Sequence, residues 1–109
     1  MSEQILEFTA AGSPRIIAGE IEQYATGRGS LNAIVVPWES DRATLSMAVT
    51  SAKGTGWAIE HTNLGTIKLT DLGNNLTRVT VAADESDPKL AALFNGFASQ
   101  IQSKFQVAT

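Results

Sequence analysis

The side chains of this sequence that could carry out acid–base or nucleophilic chemistry are few. His61 is the only imidazole, so a Ser-His-Asp triad or a site with several histidines would depend on this one residue. An ordinary strand or turn histidine is the favoured interpretation of a lone imidazole. The sequence contains no cysteine, which excludes thiol catalysis and cysteine-ligated metals.

Neighbouring carboxylates offer a second route to catalysis. Glu20 and Glu22 are close in sequence, as are Asp84 and Asp87. Two carboxyl groups held across a substrate can act as acid and base. The first pair falls on a predicted solvent-facing helix surface and the second at a predicted helix start, where capping explains acidic residues. We therefore expect no catalytic residue, no metal site and no cofactor.

The composition describes one small domain, residues 1–109, and narrows its partners. The net charge of −3 provides no field that would attract phosphate backbones or anionic lipid. The longest apolar run, residues 33–38, is too short to span a bilayer. Residues 1–8 carry acidic side chains and do not resemble a secretory signal. We expect a cytoplasmic protein that binds neither nucleic acid nor membrane.

The elements that must position these residues begin with a strand and a helix. Apolar residues alternate within residues 1–11, as in a strand with one buried face. Ser13 and Pro14 are typical of a helix start, and apolar spacing predicts a helix over residues 14–26. Gly19 is unfavourable in the middle of that helix.

Three further segments predict strands. Residues 31–38 are rich in β-branched side chains, although Pro37 suggests an edge position or the end of the strand. Residues 44–50 alternate between apolar and small polar side chains. Residues 57–69 form either one strand bent at Gly65 or two strands, and both interpretations stay open at this point.

The last third predicts a hairpin and a long helix. Residues 71–75 favour positive φ and lie between two alternating segments, which indicates an antiparallel hairpin. Asp87 and Pro88 favour a helix start, and the helix is expected to run to about Val107. Its apolar stripe consists of Leu90, Leu93, Phe94, Phe97, Ile101 and Phe105.

These elements follow the order β-α-β-β-β-β-α, with one further strand as an alternative. The order predicts an α+β fold in which an antiparallel sheet of about five strands packs on the long C-terminal helix. The first helix is expected at the end of the sheet or on the same face as the second.

The predicted hairpin and the helix after it are similar to part of a known protein superfamily. The Gly-bounded strand of residues 64–69, the turn, the strand of residues 76–81 and the helix beginning at Asp87 and Pro88 resemble the end of the helix-grip superfamily. This superfamily includes START-related, Bet v 1-like and polyketide cyclase-like proteins, and the resemblance covers about residues 57–107. It implies a sheet that wraps a long C-terminal helix around an apolar cavity. The single helix between the first two strands and the short chain correspond to a reduced version, and no active-site residue carries over.

The large aromatic residues are the candidate ligand contacts. Pockets are lined mainly by apolar side chains with a few polar anchors, such as a Trp N–H or a Tyr hydroxyl. We expect a non-enzymatic binding module that holds a small apolar ligand between the sheet and the C-terminal helix; the alternative is that these residues simply fill the core. The candidates are Tyr24, Trp38, Trp57, Phe94, Phe97 and Ile101, with Phe105 as a further aromatic.

Two other functions remain as hypotheses. The non-core face of the C-terminal helix is small and almost uncharged, which favours close packing against a partner or a second copy of the chain. That face consists of Lys89, Ala92, Asn95, Gly96, Ser99, Gln102, Ser103 and Gln106. A cyclase-like or hydrolase-like helix-grip enzyme is the third hypothesis.

Overall fold

The computed structural model describes residues 3–27, 31–37, 40–41, 43–53, 57, 60–83 and 88–107. It confirms the α+β fold and the predicted order of elements. The elements are β1 (Glu3–Ala11), α1 (Pro14–Gly27), β2 (Leu31–Val35), β3 (Thr44–Lys53), β4 (Glu60–Gly73), β5 (Leu76–Ala83) and α2 (Pro88–Phe105).

The five strands form one antiparallel sheet in the order β1-β5-β4-β3-β2. The first strand therefore pairs with the last, and β1 and β2 occupy opposite edges. Because α1 connects these two edges, it has to cross one face of the sheet. This crossing places α1 on the same side as α2.

Both helices and one face of the sheet enclose a shared hydrophobic core. Buried apolar side chains alternate with more accessible ones along the strands, as a half-buried antiparallel sheet requires, and Ser46 is in addition buried beside Met47. The fully buried residues with the largest side chains are Phe94, Phe97, Ile17, Ile21, Leu31, Met47, Leu64, Ile67, Leu69, Ile101, Val49 and Val79. The predicted stripe of α2 thus packs on the sheet, and its Phe94, Phe97 and Ile101 are buried.

The opposite face of the sheet is polar and partly accessible to solvent. Lys68 and Arg78 are exposed on this face. The Arg78 guanidinium lies 3.2 Å from the Glu7 carboxylate on the neighbouring strand. Since both side chains are about half exposed, this ion pair contributes little to stability.

Residues 60–73 form one strand, which resolves the open choice between one strand and two. Gly65 pairs with Val49 and Asn63 pairs with Thr50, so Leu64 is an extra residue relative to β3. Such a bulge bends a strand without ending it. The strand also begins later than predicted, since residue 57 lies in a turn before it.

The hairpin between β4 and β5 turns through two residues with positive φ, as the sequence predicted. Asn74 and Asn75 have φ angles of 54° and 61°, which is the pattern of the primed turns that match the twist of a hairpin. The Gly12 amide donates a hydrogen bond to the Asn75 carbonyl at 2.7 Å. The turn is therefore tied to the corner where β1 leads into α1.

Two element ends differ from the expectation. The second strand ends at Val35 instead of residue 38, because Pro37 cannot donate a ladder hydrogen bond. The last helix ends at Phe105 instead of Val107. The Val107 amide instead donates to the Thr9 carbonyl at 2.9 Å, so the chain leaves the helix and pairs with the edge of β1.

Candidate functional site

The predicted ligand residues on α2 lie inside the core. Phe94, Phe97 and Ile101 are each 0% exposed and belong to the same cluster as the inward side chains of the sheet. In this structure they pack directly against the sheet. The space where a ligand was expected, between sheet and helix, is therefore occupied at these positions by the protein's own side chains.

Trp57 is not brought together with these residues. Trp57 is 99% exposed and lies outside the core, which corrects the expectation that it lines an apolar pocket. Its turn precedes β4, so no strand register directs its indole toward the helices. Trp38 lies outside the described residues. The backbone of His61 pairs with Ala52 in the sheet, and its side chain is not among those described.

The carboxylate pairs do not form a catalytic arrangement on α1. Glu20 and Glu22 line different surface depressions, because residues two apart on a helix face different sides. Asp84 and Asp87 lie outside the described residues. Among the residues that are described, no group of three His, Asp or Glu side chains is arranged to hold a metal ion.

Tyr24 is the sequence candidate that connects the two helices at the surface. Its ring stacks on Phe97, with centroids 5.7 Å apart and an interplanar angle of 17°. Its hydroxyl donates a hydrogen bond to the Gln100 side-chain carbonyl. The ring of Tyr24 is half buried, so one side supports the core and the rest is available at the surface.

A groove open to solvent lies beside Tyr24, between α1 and the end of α2. We call it the helix groove. Its volume is about 480 Å³, within the usual range for small-molecule sites. The described residues that line it are Glu20, Gln23, Tyr24, Gly27, Lys104 and Phe105.

Two other depressions are smaller and less suited to a ligand. One lies beside Leu6 and Ala98 and has a volume of about 240 Å³. The other lies between α1 and the edge of the sheet, beside Val35 and Leu45, with about 270 Å³. Of these three, only the helix groove reaches the size of a typical small-molecule site.

The helix groove combines aromatic surface with a positive charge. The Nζ atom of Lys104 lies 5.2 Å from the centroid of the Tyr24 ring and 5.9 Å from that of Phe105. Contacts of this length between an ammonium group and ring faces are favourable. Lys104 also lies in the last turn of α2, where the helix dipole favours a cation.

Sequence reasoning identified Tyr24 and Phe105 and missed the charged residues of the groove. Lys104 follows Phe97 and Gln100 at helical spacing, so it lies at the margin of the apolar stripe of α2. A search for charges bordering the stripe would have found it. Glu20 carried no such signal, because its proximity to α2 depends on how α1 crosses the sheet.

No protein-family model, no curated protein and no solved structure matches this chain. In the part of the chain that the structure describes, neither helix has the length and apolar character needed to cross a membrane.

Proposed function

We propose that this protein is a non-enzymatic binding module for a small, mainly apolar ligand, which docks in the helix groove. The observation that carries the proposal is the partly exposed aromatic surface of Tyr24 and Phe105 in a groove of about 480 Å³. Ligand sites typically combine such surface with a few polar anchors. Gln23 and Lys104 provide anchors here.

The fixed orientation of the Tyr24 ring also supports the proposal. Tyr24 is held from behind by the stacked ring of Phe97, which is fully buried, and by the hydrogen bond to Gln100. A ring fixed in this way loses little conformational entropy when a ligand packs on it. The site is therefore largely formed before the ligand arrives.

A relationship to the helix-grip superfamily belongs to this proposal. It is supported by an antiparallel sheet whose first strand lies beside the last, with a long C-terminal helix across one face. The reduced sheet has a physical consequence for the ligand. Because Phe94, Phe97 and Ile101 fill the space under α2, the proposed ligand position moves to the margin of the helix.

Titration with a neutral fluorescent apolar probe, N-phenyl-1-naphthylamine, tests the proposal. We expect binding with one-to-one stoichiometry to the native protein, and a loss of affinity of about fivefold for Tyr24→Leu, because an aromatic contact is worth about 1 kcal/mol. Trp57→Ala is the matched control, since this exposed aromatic lies outside the groove. A native protein that leaves the probe free, or binding that depends on Trp57 and not on Tyr24, would refute the proposal.

A second candidate function is self-association through the outer face of α2, with a second copy of the chain as the partner. The observation that favours it is the exposure of Ala92, Asn95, Gly96, Ser99 and Ser103, all of which are uncharged. Small side chains allow two helices to approach closely. A cyclase-like or hydrolase-like enzyme remains a hypothesis without a supporting arrangement of described residues.

A cytoplasmic location accompanies the proposal. A sequence without cysteine suits a reducing compartment, where disulfides contribute nothing to stability. Fractionation of cells that produce the full-length protein would test this location.

A further inference from the structure

We infer that the helix groove selects planar aromatic ligands that carry a single negative charge, and that Lys104 is the anchor for this charge. The inference rests on the proposed function, because it names the ligand class of the same groove. Three features of the groove indicate this class of ligand. They are the aromatic side chains that line it, the ammonium group of Lys104 and the carboxylate of Glu20.

The preference for planar ligands follows from the aromatic side chains that line the groove. Tyr24 and Phe105 come from different helices and both line the groove. The orientation of Tyr24 is set by the stack on Phe97. Because Phe97 and the Lys104 ammonium lie over the Tyr24 ring, a ligand meets mainly the exposed edge of this ring. Aromatic rings favour edge-to-face contacts with other rings, so a flat aromatic ligand gains more here than a branched aliphatic one.

The preference for a negative charge follows from Lys104. Its Nζ atom contacts two ring faces. Within the described ranges, no carboxylate oxygen lies within 4.0 Å of this Nζ atom, whereas Arg78 is paired with Glu7. The ammonium group therefore lies beside the groove without an ion pair to any described carboxylate, and a ligand anion can pair with it.

Glu20 determines where in the groove a negative group can lie. It lines the groove on α1, one turn before Tyr24. Its carboxylate repels an anion, so the charged end of the ligand belongs on the Lys104 side. Removal of the Lys104 charge should therefore weaken the binding of an anionic ligand, and removal of the Glu20 charge should strengthen it.

Isothermal titration with a matched pair of ligands, 2-naphthoate and 2-naphthamide, measures the contribution of the charge. The two share the same ring system and differ in charge. At low ionic strength, where screening is weak, we expect wild type to bind 2-naphthoate about threefold tighter than 2-naphthamide, as for a partly exposed ion pair. Lys104→Gln should abolish this preference, Lys104→Arg should retain it, and Glu20→Gln should tighten naphthoate binding by about twofold.

Controls separate the local charge from the net charge of the protein. Lys68→Gln removes the same charge from the opposite face of the sheet and should leave both affinities unchanged. The affinity for 2-naphthamide should be the same in wild type and in Lys104→Gln, which shows that the groove retains its shape.

The outcomes distinguish this inference from the proposed function. Equal affinities for the two ligands, or a preference that survives Lys104→Gln, would overturn the inference and leave the binding module in place. If N-phenyl-1-naphthylamine binds and neither 2-naphthoate nor 2-naphthamide does, the inference is likewise overturned and the binding module stays in place. If none of the three compounds binds, the proposed function fails and the inference fails with it.

Discussion

Gly65 is a residue whose missing side chain makes the packing of three elements possible. A Cβ atom at this position would lie 2.4 Å from the carbonyl oxygen of Ala82 and 2.6 Å from two ring carbons of Phe94. Gly65 pairs with Ala83 on β5, and the ring of Phe94 on α2 packs over this backbone. Gly65 is thus required by close approach and not by an unusual φ angle.

Replacing Gly65 by alanine should lower the free energy of unfolding by about 3 kcal/mol, at the upper end for an overpacked core, because a backbone oxygen cannot move aside like a flexible side chain. Urea denaturation followed by circular dichroism measures the change. A variant as stable as wild type would show that β4 and α2 do not approach each other this closely.

Thr77 is a buried polar residue with one well-defined partner. Its hydroxyl donates a hydrogen bond to the Gly12 carbonyl at 2.7 Å, and the side chain is 0% exposed. Together with the hydrogen bond from the Gly12 amide to Asn75, this contact fastens the hairpin to the start of α1.

Thr77→Val should destabilise the protein by about 1 to 2 kcal/mol, because it keeps the shape of the side chain and leaves the Gly12 carbonyl without its donor. Chemical denaturation provides the measurement. Thr80→Val, on the partly accessible face of the same strand, is the matched control and should cost less than about 0.5 kcal/mol. Equal costs at the two positions would contradict the role assigned to the Thr77 hydroxyl.

At the scale of elements, α1 forms although it contains a glycine in its middle. Gly19 faces open space, with no atom within 4 Å of a Cβ built on it. Burial of Ile17 and Ile21 against the sheet therefore outweighs the weak local propensity. Gly73 also faces open space, but its φ angle is +81°.

Replacing Gly19 and Gly73 by alanine should change the free energy of unfolding in opposite directions. Gly19→Ala should raise the free energy of unfolding by about 1 kcal/mol, because alanine restricts the unfolded chain and favours a helix. Gly73→Ala should lower it by about 1 kcal/mol, because a side chain is strained at positive φ. Thermal unfolding measures the melting temperature of both variants. Shifts of the same sign would contradict a helical backbone at Gly19 and a positive φ angle at Gly73.

At the scale of the whole molecule, the arrangement leaves one side of α2 bare. Tyr24 links the helices on one flank of α2, and the core occupies the face toward the sheet. The small uncharged residues around Gly96 point away from both. This is the surface on which the self-association hypothesis depends.

Self-association through this surface predicts that Gly96→Glu converts a dimer into a monomer, because two copies would each bury an unpaired carboxylate. Sedimentation equilibrium of wild type and variant at the same concentrations measures the assembly state. Asn32→Glu adds the same charge on β2, where the side chain is exposed, and should leave a dimer intact. A wild-type protein that stays monomeric at high concentration would exclude this second candidate function.

Local patterns predicted most of the fold. The Asn74–Asn75 turn and the stripe of α2 depend on φ preferences and on helical spacing, which are properties of neighbouring residues. The bulge at Leu64 was recognisable only as an ambiguity, since the extra residue becomes visible when β4 pairs with β3. The end of α2 was predicted two residues too late, because pairing of Val107 with Thr9 involves a strand from the other end of the chain.

The sequence by itself determined the class of the fold, the order of its elements and the apolar stripe of α2, because these follow from periodicity and turn chemistry. Only the tertiary structure decided the candidate site. It buried Phe94, Phe97 and Ile101 and left Trp57 exposed. It also brought Tyr24 beside Lys104, since the path of α1 from one edge of the sheet to the other is set by strand order and not by any local pattern.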